Sequence, residues 1–220
     1  MDASAPRARA FGPRFRLAGI SSAASGALFL LKSVLDLLVG DPPSESARLL
    51  PWIASHRLSL SLTNEVLFFA AVLLVPVVFA LYRSLDGSGR SWVGFGCGIL
   101  ALAVAIVLVL VFVHGRLVYP VYGIDVDEPA TVALVVSLYY GGMHEVALLL
   151  GAALVMLGLS MRGGVFGRAA AVFGVIAGTA QLAGAFPWLV GPLLTSIIQA
   201  MFALWLVLVG LRLVRSPIKG

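Results

Sequence analysis

Long apolar runs alternate with short polar joints along almost the whole chain. Six stretches carry the pattern, at roughly 17–39, 64–82, 92–113, 131–161, 168–187 and 190–212. A bilayer core about 30 Å thick is crossed by about 20 apolar residues in helical form. The run ILALAVAIVLVLVFV is apolar on every side, whereas a barrel strand alternates apolar and polar positions. The pattern therefore predicts an all-α fold, an integral membrane bundle of six transmembrane helices. The last two helices meet at the turn FPWLVGP, where Pro187 and Pro192 break the helix and Trp188 suits the water interface. Pro76 falls inside the second stretch and predicts a kink.

The ends differ from the body. Residues 1–16, MDASAPRARAFGPRFR, hold four arginines and no apolar run, and read as a mobile basic cytoplasmic tail. Residues 17–214 form the expected transmembrane domain, and 215–220 a second short basic tail. The first apolar stretch is too long for the core of a signal peptide, so it reads as a retained first helix.

Composition sharpens this picture. Of the 220 residues 60 % are hydrophobic and only 11 % charged, against about 25 % charged in ordinary soluble domains. The net charge of +5 does not point to nucleic acid, because the bases lie scattered at the ends of apolar runs. They do set an orientation. With the N-terminus inside, eleven Arg and Lys fall in cytoplasmic segments and three, Arg48, Arg57 and Arg116, in outer loops. That bias follows the positive-inside rule and predicts both termini in the cytoplasm of a plasma (inner) membrane protein.

Ionisable groups within a span are expensive and mark sites by default. Counting about 1.5 Å per residue from each cytoplasmic end places Lys32 at roughly 24 Å and Asp36 at roughly 30 Å. Glu65, His144 and Glu145 come at roughly 25 Å, and Gln181 and Gln199 at roughly 20 Å, while His114 ends the third span. All lie in the outer half, which predicts a polar cavity open to the outside above an apolar floor. Each residue also has a plainer reading. Lys32 and Asp36, four apart, suit a structural ion pair. Glu65 follows Ser61, Thr63 and Asn64 and suits the first turn of a helix starting there. Gly141-Gly142 would put His144 and Glu145 at a helix rim, and His114 with Arg116 suits an interface anchor. Asp125, Asp127 and Glu128 read as solvated loop charge, since their spacing matches no calcium loop.

Motifs of soluble catalysis are absent: no G-x-x-x-x-G-K-[ST], H-E-x-x-H or G-x-S-x-G occurs. The single cysteine, Cys97, lies inside an apolar run and excludes an internal disulfide. Ser21, Ser22, Ser25 and Gly26, and later Gly174 and Gly178, have the small-residue spacing that lets helices approach closely.

Three stretches carry a likeness to a known family: RLAGISSAASGALFLLKSVLDLL, NEVLFFAAVLLVPVVFALYRSLDGSGR and HEVALLLGAALVMLGLSMRGGVFGRAAAVFGVIAG. Together they resemble the uncharacterised bacterial six-helix membrane family catalogued as domain of unknown function 4386. Its members usually carry Ile-Pro-Arg where this chain has Phe166-Gly167-Arg168. The resemblance implies six helices and an inner-membrane location, and no activity, cofactor or site residue. The leading functional expectation is a protein that binds or moves a small solute or proton through the outward cavity, with the lipid bilayer as its surroundings. The alternatives are a metal-dependent intramembrane hydrolase using His114, His144, Glu65 and Asp36, and a scaffold whose polar residues only lock helices together.

Overall fold

The computed structural model describes residues 13–85, 90–162 and 165–215. Those residues form seven helices: α1 Pro13–Val39, α2 Ser46–Ser84, α3 Arg90–Gly115, α4 Pro129–Ser160, α5 Gly167–Ala183, α6 Pro187–Val190 and α7 Pro192–Arg215. Apart from the four-residue α6, each packs antiparallel against its sequence neighbours, and α7 returns to α1 to close a ring. We call the end where α1 and α3 finish the upper end.

Five helices are long and apolar enough to cross a membrane: α1, α2, α3, α4 and α7. The 17-residue α5, Gly167–Ala183, is shorter but equally apolar in character. Large apolar side chains such as Leu38, Phe69, Phe79, Phe95 and Phe112 cover the outside of the ring. Water solvates such a surface poorly, and lipid solvates it well.

Two helices are longer than expected. At about 1.5 Å per residue, the 39 residues of α2 and 32 of α4 reach about 57 and 47 Å, well beyond a hydrocarbon core. Residues 46–63 are helix, not the expected loop, so Glu65 sits mid-helix and caps nothing. The helix runs through both Pro51 and Pro76. α4 likewise passes through Gly141 and Gly142 unbroken. Its start is fixed by Glu128, whose carboxylate accepts from the Thr131 backbone N–H at 2.7 Å and its hydroxyl at 3.1 Å. One of the three expected solvated loop acids is therefore a helix cap. At the other extreme, α1 begins at Pro13 and takes in part of the expected tail, while 1–12 and 216–220 lie outside the described residues.

The main core fills the ring from Trp205, Phe202, Leu206 and Leu213 on α7 across to Leu67, Leu74 and Leu81 on α2. In its lower part backbones nearly touch. A Cβ on Gly26 would lie 2.5 Å from the Ala203 carbonyl oxygen, and one on Gly178 would lie 2.7 Å from that of Gly151. Ser22 Oγ donates to the Leu206 carbonyl at 2.7 Å and Ser25 Oγ to that of Ala70 at 2.8 Å. The small-residue spacing on α1 and α5 is thus a packing device. A second, smaller core caps the upper end, where Leu49, Ile53 and Leu60 of α2 meet Val132 and Val136 of α4 with Val39 and Val118.

Candidate functional site

Between the two cores the ring encloses a cavity of about 130 Å³. All six long helices bring a polar group to its wall. α1 supplies Lys32 and Asp36, α2 Thr63, and α3 His114. α4 supplies Tyr139 and Tyr140, α5 Gln181, and α7 Thr195, Ser196 and Gln199. Depth matching in the sequence found five of these residues: Lys32, Asp36, His114, Gln181 and Gln199.

Lys32 is only 4 % exposed and donates to Asp36 one turn above, forming a salt bridge within α1. The helical i, i+4 offset brings the two heads together without help from another helix. His114 is buried, so it is no interface anchor. Its Nδ1 lies 3.1 Å from Asn64 Oδ1, and its ring stacks on Tyr139 at 4.4 Å between centroids. With the Asn64 carboxamide oxygen as acceptor, Nδ1 is the donor. Ser33 Oγ donates to the Phe29 carbonyl at 2.9 Å and lies 3.4 Å from Gln199 Oε1, where α7 meets α1.

Thr195 Oγ1 donates to the Gly191 carbonyl at 2.9 Å and Ser196 Oγ to that of Ser33 at 3.4 Å, whereas other wall groups have no hydrogen-bond partner among the described residues. Thr63 Oγ1 is fully buried without a hydrogen bond. Gln181 and Tyr139, each 5 % exposed, make no side-chain hydrogen bond to any described residue, nor does the Tyr140 hydroxyl. Leaving such groups dry would cost roughly 1–3 kcal/mol apiece, so the cavity suits water or a polar ligand better than an apolar one. Its volume admits a few waters at about 30 Å³ each, or one small ring.

Three expected site residues face elsewhere. Glu65 is exposed on the outside of α2 and accepts from the Tyr119 hydroxyl at 3.0 Å. Partial burial, and next this hydrogen bond, hold the Tyr119 phenol above its usual pKa. Glu145 is exposed on the outside of α4. His144 Nδ1 donates to the Ala185 carbonyl at 2.6 Å and its ring packs on Phe186 and Trp188. It therefore holds the α5–α7 connection, and the turn it holds forms part of the cavity wall through Ala185 and Pro187. A metal site built from His114, His144, Glu65 and Asp36 is ruled out by this geometry. Among the described residues no three His, Cys, Asp or Glu side chains cluster as ligands. Arg116, expected as an anchor, instead clamps the α3–α4 loop, donating to the carbonyls of Tyr119 at 3.3 Å and Ile124 at 3.0 Å.

Sequence reasoning missed Thr63, Tyr139, Tyr140, Thr195 and Ser196. The signal was available in the tyrosines: paired Tyr139-Tyr140 sits in a span at the height of Asp36. No family model, no curated protein and no solved structure matches the chain.

Proposed function

We propose that the chain is an integral membrane protein of six spans that binds or moves a small polar solute through an outward-facing cavity. In this reading α5 is the sixth span, both termini are cytoplasmic, the upper end faces outward, and the membrane is the plasma (inner) membrane. The charge bias of the loops supports the orientation. The resemblance to the domain of unknown function 4386 family agrees with six helices. The observation that carries the functional reading is the set of unpartnered polar side chains from separate helices around one cavity. A scaffold would instead satisfy its buried polar groups within the protein, as Ser22, Ser25 and Trp205 do on backbone carbonyls in the lower part of the bundle.

The test is ligand-induced stabilisation of the purified protein by small amines, carboxylates, polyols and amino acids. At least one class is expected to raise the melting temperature, since binding at 100 times Kd contributes about 2.7 kcal/mol. The shift should vanish in Gln181→Leu, inside the cavity, and persist in Glu145→Gln, outside it. No shift with any class, or an equal shift in Gln181→Leu, overturns the reading. Orientation is read by labelling from outside intact cells: a cysteine at Asp41 should react and one at Ser84 should not.

A further inference from the structure

The chemistry of the cavity is layered, and the layers follow the helical repeat. Going down from the mouth, α1 with its exit presents Asp41, Asp36, Lys32 and Phe29. Over the same descent α7 presents Thr195 and Ser196, then Gln199, then Phe202. α4 descends from Tyr139 and Tyr140 to Val146 and Leu150. The exposures match this order: Asp41 is exposed, the Asp36 side chain is 32 % exposed, and that of Lys32 is 5 % exposed. The mouth is thus acidic, the middle offers hydrogen-bonding phenols and amides, and the floor is apolar. Phe29 and Phe202 meet edge to face there, 5.1 Å between centroids.

The charges do not cancel. One lysine against two aspartates leaves one negative charge on the wall when His114 is neutral. Lys32 is already answered by Asp36, whereas Asp41 has no ion-pair or hydrogen-bond partner among the described residues. Thr63, Gln181 and Tyr139, all more than nine-tenths buried, add unpartnered polar atoms. We infer that the ligand is a small amphipathic organic cation: a protonated amine on an apolar body of about one ring. This rests on the solute-binding reading above. The ammonium sits at the mouth between Asp41 and the free oxygen of Asp36. The body passes the phenols of Tyr139 and Tyr140 and ends on Phe29 and Phe202. An anion of the same shape would meet two carboxylates before reaching a lysine that is already paired.

The experiment places a single thiol in the wall: Thr195→Cys in full-length protein with Cys97→Ala, and Ser196→Cys as a second position should the first fail to fold. Rates of modification at pH 8 by cationic aminoethyl, neutral methyl and anionic sulfonatoethyl methanethiosulfonates are each divided by their rates with a free thiol. The cation is expected to react faster than the anion by on the order of tenfold, as charged clefts concentrate counter-ions. Asp41→Asn should reduce that ratio several-fold. Phenethylammonium should protect the thiol, and 3-phenylpropionate should not. Equal ratios, an anion preference or protection by the carboxylate overturn the inference while leaving an accessible cavity. Failure of the neutral reagent to reach either thiol overturns the cavity reading itself.

Discussion

The lower and upper halves of the bundle put buried, uncharged polar side chains to opposite ends. Below the cavity, Ser22, Ser25 and Trp205 are buried, and each donates to a backbone carbonyl of a neighbouring helix. In the cavity wall, Thr63, Tyr139 and Gln181 are also buried, and their side chains hydrogen-bond to no described residue. In the lower half glycine brings the backbones of α1 and α7, and of α4 and α5, together. In the upper half the helices stand apart around a space with polar walls. The lesson is that a buried polar residue reveals a site by what it fails to touch. Burial alone does not separate glue from binding surface.

The contrast can be broken at graded points. The largest effect is expected for Gly26→Leu, where even a Cβ would stand 2.5 Å from the Ala203 carbonyl oxygen. Backbone must yield there, at a cost of about 3 kcal/mol or more, read as a fall in detergent melting temperature. Removing glue comes next: Ser22→Ala should cost about 0.6–1.7 kcal/mol, the range of interhelical hydrogen bonds in membrane proteins. Gln181→Leu and Tyr139→Phe should stay within about 0.5 kcal/mol of wild type, because they surrender no protein partner. A loss there as large as that of Ser22→Ala would erase the distinction between the halves.

The smallest effect concerns the cap over the cavity. Backbone N–H groups of Thr131 and then Ala130 hold the Glu128 carboxyl below its ordinary pKa. A carboxylate with a lowered folded value adds stability that is full above its unfolded value and fades as pH falls through the folded one. Wild type should therefore lose slightly more stability than Glu128→Gln on acidification below the ordinary glutamate range. Melting curves of both proteins over that window check this.

How much of this was legible beforehand depends on which force set the feature. Apolar runs show the bundle because lipid demands them, and five of eight expected site residues line one cavity because depth follows from counting residues. Facing does not follow from counting. Glu65 and Glu145 share the height of the cavity but point away from it, a matter of rotation about the helix axis set by packing. The added length of α2 was hidden for another reason. Residues 46–63 are too polar to read as a span, yet α4 and the α3–α4 loop cover one side of them and extend the helix above the apolar run. His114 was missed as a buried group because it closes a helix, where a polar end usually meets water.

The salt bridge of α1 has a bearing on how the protein is made. Lys32 and Asp36 belong to one helix, so they neutralise each other as soon as that helix forms. The first segment can therefore leave the translocation machinery and rest in lipid while its neighbours are still being synthesised. Had the lysine's counter-charge been carried on α7, its closest packing neighbour, an isolated cation would wait unanswered until the final segment emerged. With local pairing, the charge on α1 is answered before α7 packs against it.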